Sequence, residues 1–265
     1  VPSLREALIE LVRGAGQVVM GYFRRLKESE IGHKGKINLV TEADLKAEEF
    51  IAGYIRERFP DHSIVGEEGA KEQGSSDFLW LVDPLDGTTN FAHGFPIFAI
   101  SVGLMRRDEV VLGAVYDPVH DELFIAERGA GALLNGRPIR VSPEEELERA
   151  LLATGFPYDV HESEEDNLDF FAAFMHRAQA IRRAGSAAID LCYVACGRFD
   201  GFWELKLYPW DVAAGWVIVE EAGGVVTDLS GGPLDLWHPN PLAANPTLHG
   251  KMAEVIAGVR RARTG

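Results

Sequence analysis

A short apolar run, Phe78-Leu79-Trp80-Leu81-Val82, stops at Asp83, and the eight residues Asp83-Pro84-Leu85-Asp86-Gly87-Thr88-Thr89-Asn90 that follow are rich in turn formers. That pattern reads as a buried strand entering a functional loop. Upstream, apolar residues from Leu4 to Phe23 recur at three-to-four spacing and predict an amphipathic helix. Thr41, followed by Asp44 three residues later and then by Phe50, Ile51, Tyr54 and Ile55, predicts a second helix that ends before Pro60. Residues 32–35 read as a turn between them. Downstream, apolar runs at 97–105, 110–116 and 122–126, punctuated by Gly129, Gly131 and Asn135-Gly136, predict an antiparallel meander.

The first half, residues 1–142, is therefore expected to be α+β. In the second, 143–265, strand-like runs near 150–154, 199–204, 224–228 and 241–244 alternate with helix-like stretches near 163–179, 186–196, 211–222 and 247–262, the α/β pattern. No internal repeat, low-complexity segment or flexible linker separates the halves, which are expected to pack as one unit. Cys192 and Cys196, the two cysteines, sit four apart in an apolar stretch and read as buried small hydrophobes on one side of a helix.

With 46% hydrophobic residues in 265, the chain can bury a sizeable core. No apolar run approaches the roughly 20 residues of a membrane helix, and the first residues lack a signal-peptide pattern, so a cytoplasmic location is the expectation. A formal charge of -15 argues against a nucleic-acid surface, which needs clustered lysine and arginine. An acidic protein that binds phosphate must bring local positive charge, and divalent cations supply it.

The Asp83–Asn90 string divides into physical tasks. Two carboxylates three residues apart, with Pro84 fixing a backbone angle between them, can point into one cavity and bridge hard cations that prefer oxygen. Gly87 permits a tight turn. A helix beginning near Thr88 and Thr89 would turn its free amides toward the same cavity and favour an anion there. Alone, an Asp-x-x-Asp pair is more often an acidic turn with an Asx cap. Gly66-Glu67-Glu68-Gly69 places two further carboxylates in a turn, a pattern that by itself is usually solvated surface. Asp211, in Trp210-Asp211-Val212-Ala213-Ala214-Gly215, opens an apolar helix, where an N-cap is the ordinary explanation.

Taken together, in this order and spacing, these three segments resemble the inositol monophosphatase family, and the similarity runs over nearly the whole chain. The stretch Asn90-Phe91-Ala92-His93-Gly94-Phe95-Pro96 looks like its monophosphatase branch. The resemblance implies a layered αβαβα sandwich of the inositol monophosphatase and fructose-1,6-bisphosphatase type, and a usual state of homodimer. It implies two or three Mg2+ ions: Glu67, Asp83 and the Leu85 carbonyl on one, Asp83, Asp86 and Asp211 on a second, with a weaker third leaning on Glu67. Thr88 pairs with Asp44 to orient or activate the attacking water. Substrate contacts fall on Asp86, Gly87, Thr88, Gly185, Ser186, Ala187, Glu204 and Asp211. Lys34 falls where relatives carry a lysine on a mobile loop, although His33 or Lys36 could take that place with a small shift.

The implied activity is magnesium-dependent, lithium-sensitive hydrolysis of a small-molecule polyol or sugar phosphate, with myo-inositol 1-phosphate as the first choice. The Asp-x-x-Asp spacing disfavours the phosphatases whose Asp-x-Asp motif supplies a covalent nucleophile. Fructose-1,6-bisphosphatase activity is the alternative, since Arg182 and Arg183 stand near Gly185 and a second phosphate would want such a cation. From another class, a bacterial relative partners the transcription machinery, and the acidic charge suits a protein partner better than direct RNA contact.

Overall fold

Strand alternation sorts this chain into layers. The computed structural model describes residues 3–34 and 39–264. In chain order the elements are α1 (Leu4–Tyr22), β1 (Ile31–His33), β2 (Leu39–Thr41), α2 (Glu42–Arg58), β3 (Ser63–Gly66), β4 (Lys71–Glu72), β5 (Phe78–Asp86) and α3 (Thr88–Ala92). There follow β6 (Ala99–Arg106), β7 (Glu109–Asp117), β8 (Glu122–Glu127), β9 (Gly131–Leu134) and β10 (Arg137–Pro138). The remainder comprises β11 (Leu151–Thr154), α4 (Leu168–Met175), β12 (Ala180–Arg182), α5 (Ala187–Ala195), β13 (Gly201–Trp203), α6 (Pro209–Glu221), β14 (Val225–Asp228), β15 (Pro241–Ala244) and α7 (Pro246–Thr264).

An eight-stranded sheet runs β10-β9-β8-β7-β6-β5-β3-β4, antiparallel from β10 to β5, with β3 parallel to β5. A five-stranded sheet runs β12-β11-β13-β15-β14 and is mixed. Helices α1 and α2 cover one face of the large sheet, where Leu8, Leu11, Val12 and Ile51 pack on Trp80, Val82 and Val102. Leu81, pointing the other way, joins the middle layer with α5, α6, Phe202 and Ala243. Trp203 and Leu242 turn to the far face of the small sheet, under Phe174 of α4 and Met252 of α7. The period-two alternation of β5, β13 and β15 thus builds three apolar interfaces and an αβαβα stack.

The first two helices start where capping chemistry predicts. Ser3 and Glu6 close a capping box on α1, and Thr41 and Asp44 close one on α2. The Asn135-Gly136 hairpin has both residues at positive φ (48° and 77°), the backbone of a tight primed turn.

Two expectations need correction. Gly32 lies in β1, paired with Val40, instead of in a turn, and Gly35 lies outside the described residues. The helix expected over 163–179 shrinks to α4, because Asn167 sits at φ 72° and its buried amide is consumed elsewhere. It donates to Thr154 Oγ1 (2.8 Å) and the Gly155 carbonyl (2.6 Å) and accepts from Trp203 Nε1 (2.7 Å). Residues 180–182 form the edge strand β12.

Candidate active site

The carboxylates meet where β3 and β5 end beside the first turn of α6. Glu67 follows β3, its amide donating to the Val82 carbonyl (3.0 Å). Asp83 lies within the buried run of β5, and its Oδ1 accepts from the Leu85 amide (2.9 Å). The pairing of β5 with β6 shifts register between Asp83 and Asp86, so the motif is a distorted continuation of the strand rather than a loop after it.

Asp211 reaches this point because α6 approaches the sheet unusually closely. Gly103 and Gly113 pair across β6 and β7 beneath it, and a Cβ on them would lie 2.8 Å from Ala213 Cβ and 2.7 Å from Ala214 Cα. Ser101 Oγ donates to the Trp210 carbonyl (3.2 Å) and pins the same turn. Asp211 is not the N-cap: the helix begins at Pro209, and Asp211 Oδ2 accepts from the Tyr208 amide (2.8 Å).

Oxygen atoms of Glu67, Asp83 and Asp211 lie within 4.8 Å of one another. Burial, with the charges of Glu67 and Asp86, holds Asp83 well above the usual carboxylate range, and Asp211 likewise. Asp86 lines the same cavity, at about 6 because burial outweighs the bonds its Oδ2 accepts from Ser186 Oγ (2.6 Å) and the Ala188 amide (2.7 Å). An all-oxygen donor set crowded at this density is unfavourable without positive charge and fits a hard divalent cation. Lys34 offers one charge: its Nζ lies 2.9 Å from Glu67 Oε1 and also bonds Glu68, and those carboxylates hold the ammonium above its ordinary value despite burial. Of the other two candidates for this place, the His33 side chain and all of Lys36 lie outside the described residues.

Next to the cluster, Thr88 Oγ1 lies 2.8 Å from Asp44 Oδ1 and 3.1 Å from the Leu85 carbonyl. The hydroxyl has one proton, and the closer, charge-assisted acceptor takes it. Asp44 Oδ2 meanwhile accepts from the Thr41 amide (2.8 Å) and hydroxyl (2.5 Å), so its capping and site roles coexist. Burial pushes Asp44 up to about 6.

Glu67, Asp83, Leu85, Asp86, Thr88 and Asp211 line a cavity of ≈ 230 Å³, which also takes in Gly87, Gly185, Ser186, Ala187, Arg183 and Glu204. Gly87 turns into α3 at φ 100°. Glu204 stands on the side toward Gly155, pushed to about 8 by burial. Arg182 is absent from the lining, whereas Arg183 is present. Two polar residues escaped the sequence reading. Glu48 accepts from the amides of Glu68 and Ala70 (both 2.8 Å) and braces the Glu67 turn. Asp190, the one acid in the apolar helix α5, lines the cavity, and an acid four residues after the cap Ser186 was the available signal.

Residues 2–263 match the model of the inositol monophosphatase family. An inositol-1-monophosphatase of Synechocystis sp. is 45% identical over 254 residues, spanning 95% of this chain and 88% of that protein. The Nus factor SuhB of Pseudomonas aeruginosa is 46% identical over 87% of this chain and 86% of its own. The structure of an inositol monophosphatase from Anabaena (Nostoc) sp. PCC 7120 superposes with a TM-score of 0.87 at 42% identity, covering 96% of this chain and 95% of that one. With sheet order, acid cluster and similarity in agreement over almost its full length, the chain belongs to the inositol monophosphatase family and is a phosphoric monoester hydrolase.

Proposed function

We propose that the chain is a magnesium-dependent phosphatase of a small polyol phosphate, with myo-inositol 1-phosphate as its preferred substrate. The observation that carries this reading is the Glu67–Asp83–Asp211 cluster sharing one cavity with Thr88, whose hydroxyl is bonded to the buried Asp44 behind it. Glu67, Asp83, the Leu85 carbonyl, Asp86 and Asp211 would hold two or three ions. When bound, magnesium supplies positive charge against the phosphate and the Lewis acidity that makes water a nucleophile at neutral pH.

The chain's own groups do the rest. Because Asp44 accepts the Thr88 proton, the Thr88 oxygen keeps a lone pair free to accept from a water and aim it at phosphorus. Backbone N–H groups at Gly87 and Thr88 are the donors for the phosphate oxygens. Water attacks in line, the bond from phosphorus to the polyol oxygen breaks, and the departing alkoxide collects a proton from solvent. Gly185, Ser186, Ala187 and Glu204 face the polyol.

Arg183 in the cavity lining supports a second reading, hydrolysis of fructose 1,6-bisphosphate with the guanidinium on the distant phosphate. Phosphate release from the two esters, measured side by side with and without magnesium for the wild type and Asp83→Asn, separates them. Preference for inositol 1-phosphate supports the first reading, and preference for the bisphosphate the second. No magnesium-dependent release from either defeats both. A contact with transcription proteins, as the Nus factor's name suggests for that relative, would survive in Asp83→Asn/Asp86→Asn, and homodimerisation is checked by sedimentation.

A further inference from the structure

Helix α5 is apolar almost throughout: Ala187, Ala188, Ile189, Leu191, Cys192, Val194 and Ala195 are all buried. Asp190 interrupts it. The residue is 1% exposed, and its Oδ1 is buried with no hydrogen-bond partner. A buried carboxylate oxygen left unpaired is costly, and folded chains rarely keep one without a reason.

Its surroundings supply the reason. Asp190 lines the cavity together with Glu204, which is itself 8% exposed. Gly155 backs away from Glu204, because a Cβ there would overlap the Glu204 carboxylate. Burial raises both acids, each more so for the other's or Asp86's charge, and Arg183 is the one cation that offsets them. The result is a wall of proton acceptors on a different stretch of the cavity from the Glu67–Asp83–Asp211 cluster, and among the described residues it is not part of that cation-sized group. Buried carboxyl groups with one guanidinium beside them suit a ligand that brings several hydroxyl groups, each able to donate and to accept.

We propose that Asp190 is a specificity-determining residue, whose Oδ1 accepts a hydrogen bond from a ring hydroxyl of the polyol while Glu204 accepts from a neighbouring one. The assignment rests on the polyol phosphate reading above. Two carboxylates gripping adjacent hydroxyls distinguish a polyhydroxylated leaving group from one of similar size without hydroxyls, since the latter leaves both acids unpaired.

The test compares kcat/KM for inositol 1-phosphate with that for phenyl phosphate, in the wild type, Asp190→Ala and Asp190→Leu, together with thermal melts. Loss of the carboxyl partner of a substrate hydroxyl lowers the inositol-to-phenyl ratio about 10-fold or more in both variants, through KM. Asp190→Leu, which removes an unpaired buried acid without leaving a hole, keeps or raises Tm. A ratio unchanged within about threefold in Asp190→Ala overturns the proposal, whether or not Asp190→Leu folds; so does a fall confined to Asp190→Leu, which steric filling explains. If the wild type hydrolysed neither ester, the phosphatase reading would fail separately. Calorimetric binding of inositol 1-phosphate, then free of turnover, would decide on Asp190 by the same wild-type-to-Ala contrast.

Discussion

Asp44 and Thr88, 44 residues apart, join the start of α2 to the turn after β5 through one buried 2.8 Å hydrogen bond. Asp44 takes the hydroxyl proton and so sets which way the Thr88 lone pair faces. Thr88→Ala removes that lone pair and is expected to lower kcat by about 10²–10⁴-fold, the usual worth of a positioned proton acceptor, with magnesium affinity nearly unchanged. Asp44→Asn should lower kcat similarly and cost about 1 kcal/mol of stability through the capping box. Steady-state kinetics with calorimetric magnesium titration check both. A Thr88→Ala enzyme with wild-type kcat would remove Thr88 from the mechanism.

The paired Gly103 and Gly113 let α6 sit low enough for Asp211 to meet Asp83. A methyl group at either position lifts the helix or forces the strands apart. Gly113→Ala is expected to cost about 1–3 kcal/mol, as overpacking does, and to weaken magnesium binding along with it. An unaltered Tm and affinity would show that Asp211 is placed by something else.

The buried acids make a signed prediction about pH. Folded Asp44 and Asp86 keep protons up to about 6 and Glu204 up to about 8, whereas unfolded carboxyls release theirs near 4. The folded state therefore binds more protons through that window, and the stability of chelator-treated protein falls as pH rises from about 4 to about 8. Glu144, held near 2 by Arg149, acts oppositely, but only at the acid end of that window, where the unfolded carboxyl still releases its proton. Magnesium compensates ionised carboxylates, so its stabilisation, read as a Tm shift, should be larger at about pH 8 than at about pH 5. A shift independent of pH would count against this set of ligands.

Legibility followed the range of the interactions. Capping boxes and amphipathic spacing act within one turn, and α1 and α2 begin where Ser3–Glu6 and Thr41–Asp44 place them. The meander β6–β7–β8 is local in sequence and was readable for the same reason. The helix expected over 163–179 failed because Asn167 is bound by Thr154, Gly155 and Trp203, partners no local window contains. At the site, the motifs name the acids, but the motifs contain neither Glu48 nor Asp190. Both lie on helices whose register against the cavity depends on how the layers stack.

Glu48 supports the Glu67–Asp83–Asp211 acid cluster without belonging to it. Its two oxygens accept the amides of Glu68 and Ala70, each at 2.8 Å, and Gly66 leaves the space its carboxylate fills. The turn carrying Glu67 is therefore held from behind by α2. Glu48→Gln keeps the size but turns a donor toward one of the two amides, leaving that amide unpaired. Magnesium affinity should fall about 10- to 100-fold, as for outer partners of metal ligands in general, while Tm in chelator drops by only a few degrees. Calorimetric titration of magnesium into the variant reads the first quantity and a melt the second. If stability fell while affinity held, Glu48 would be a brace for the loop alone, and the position of Glu67 would have to come from its own bond to the Val82 carbonyl and from Lys34.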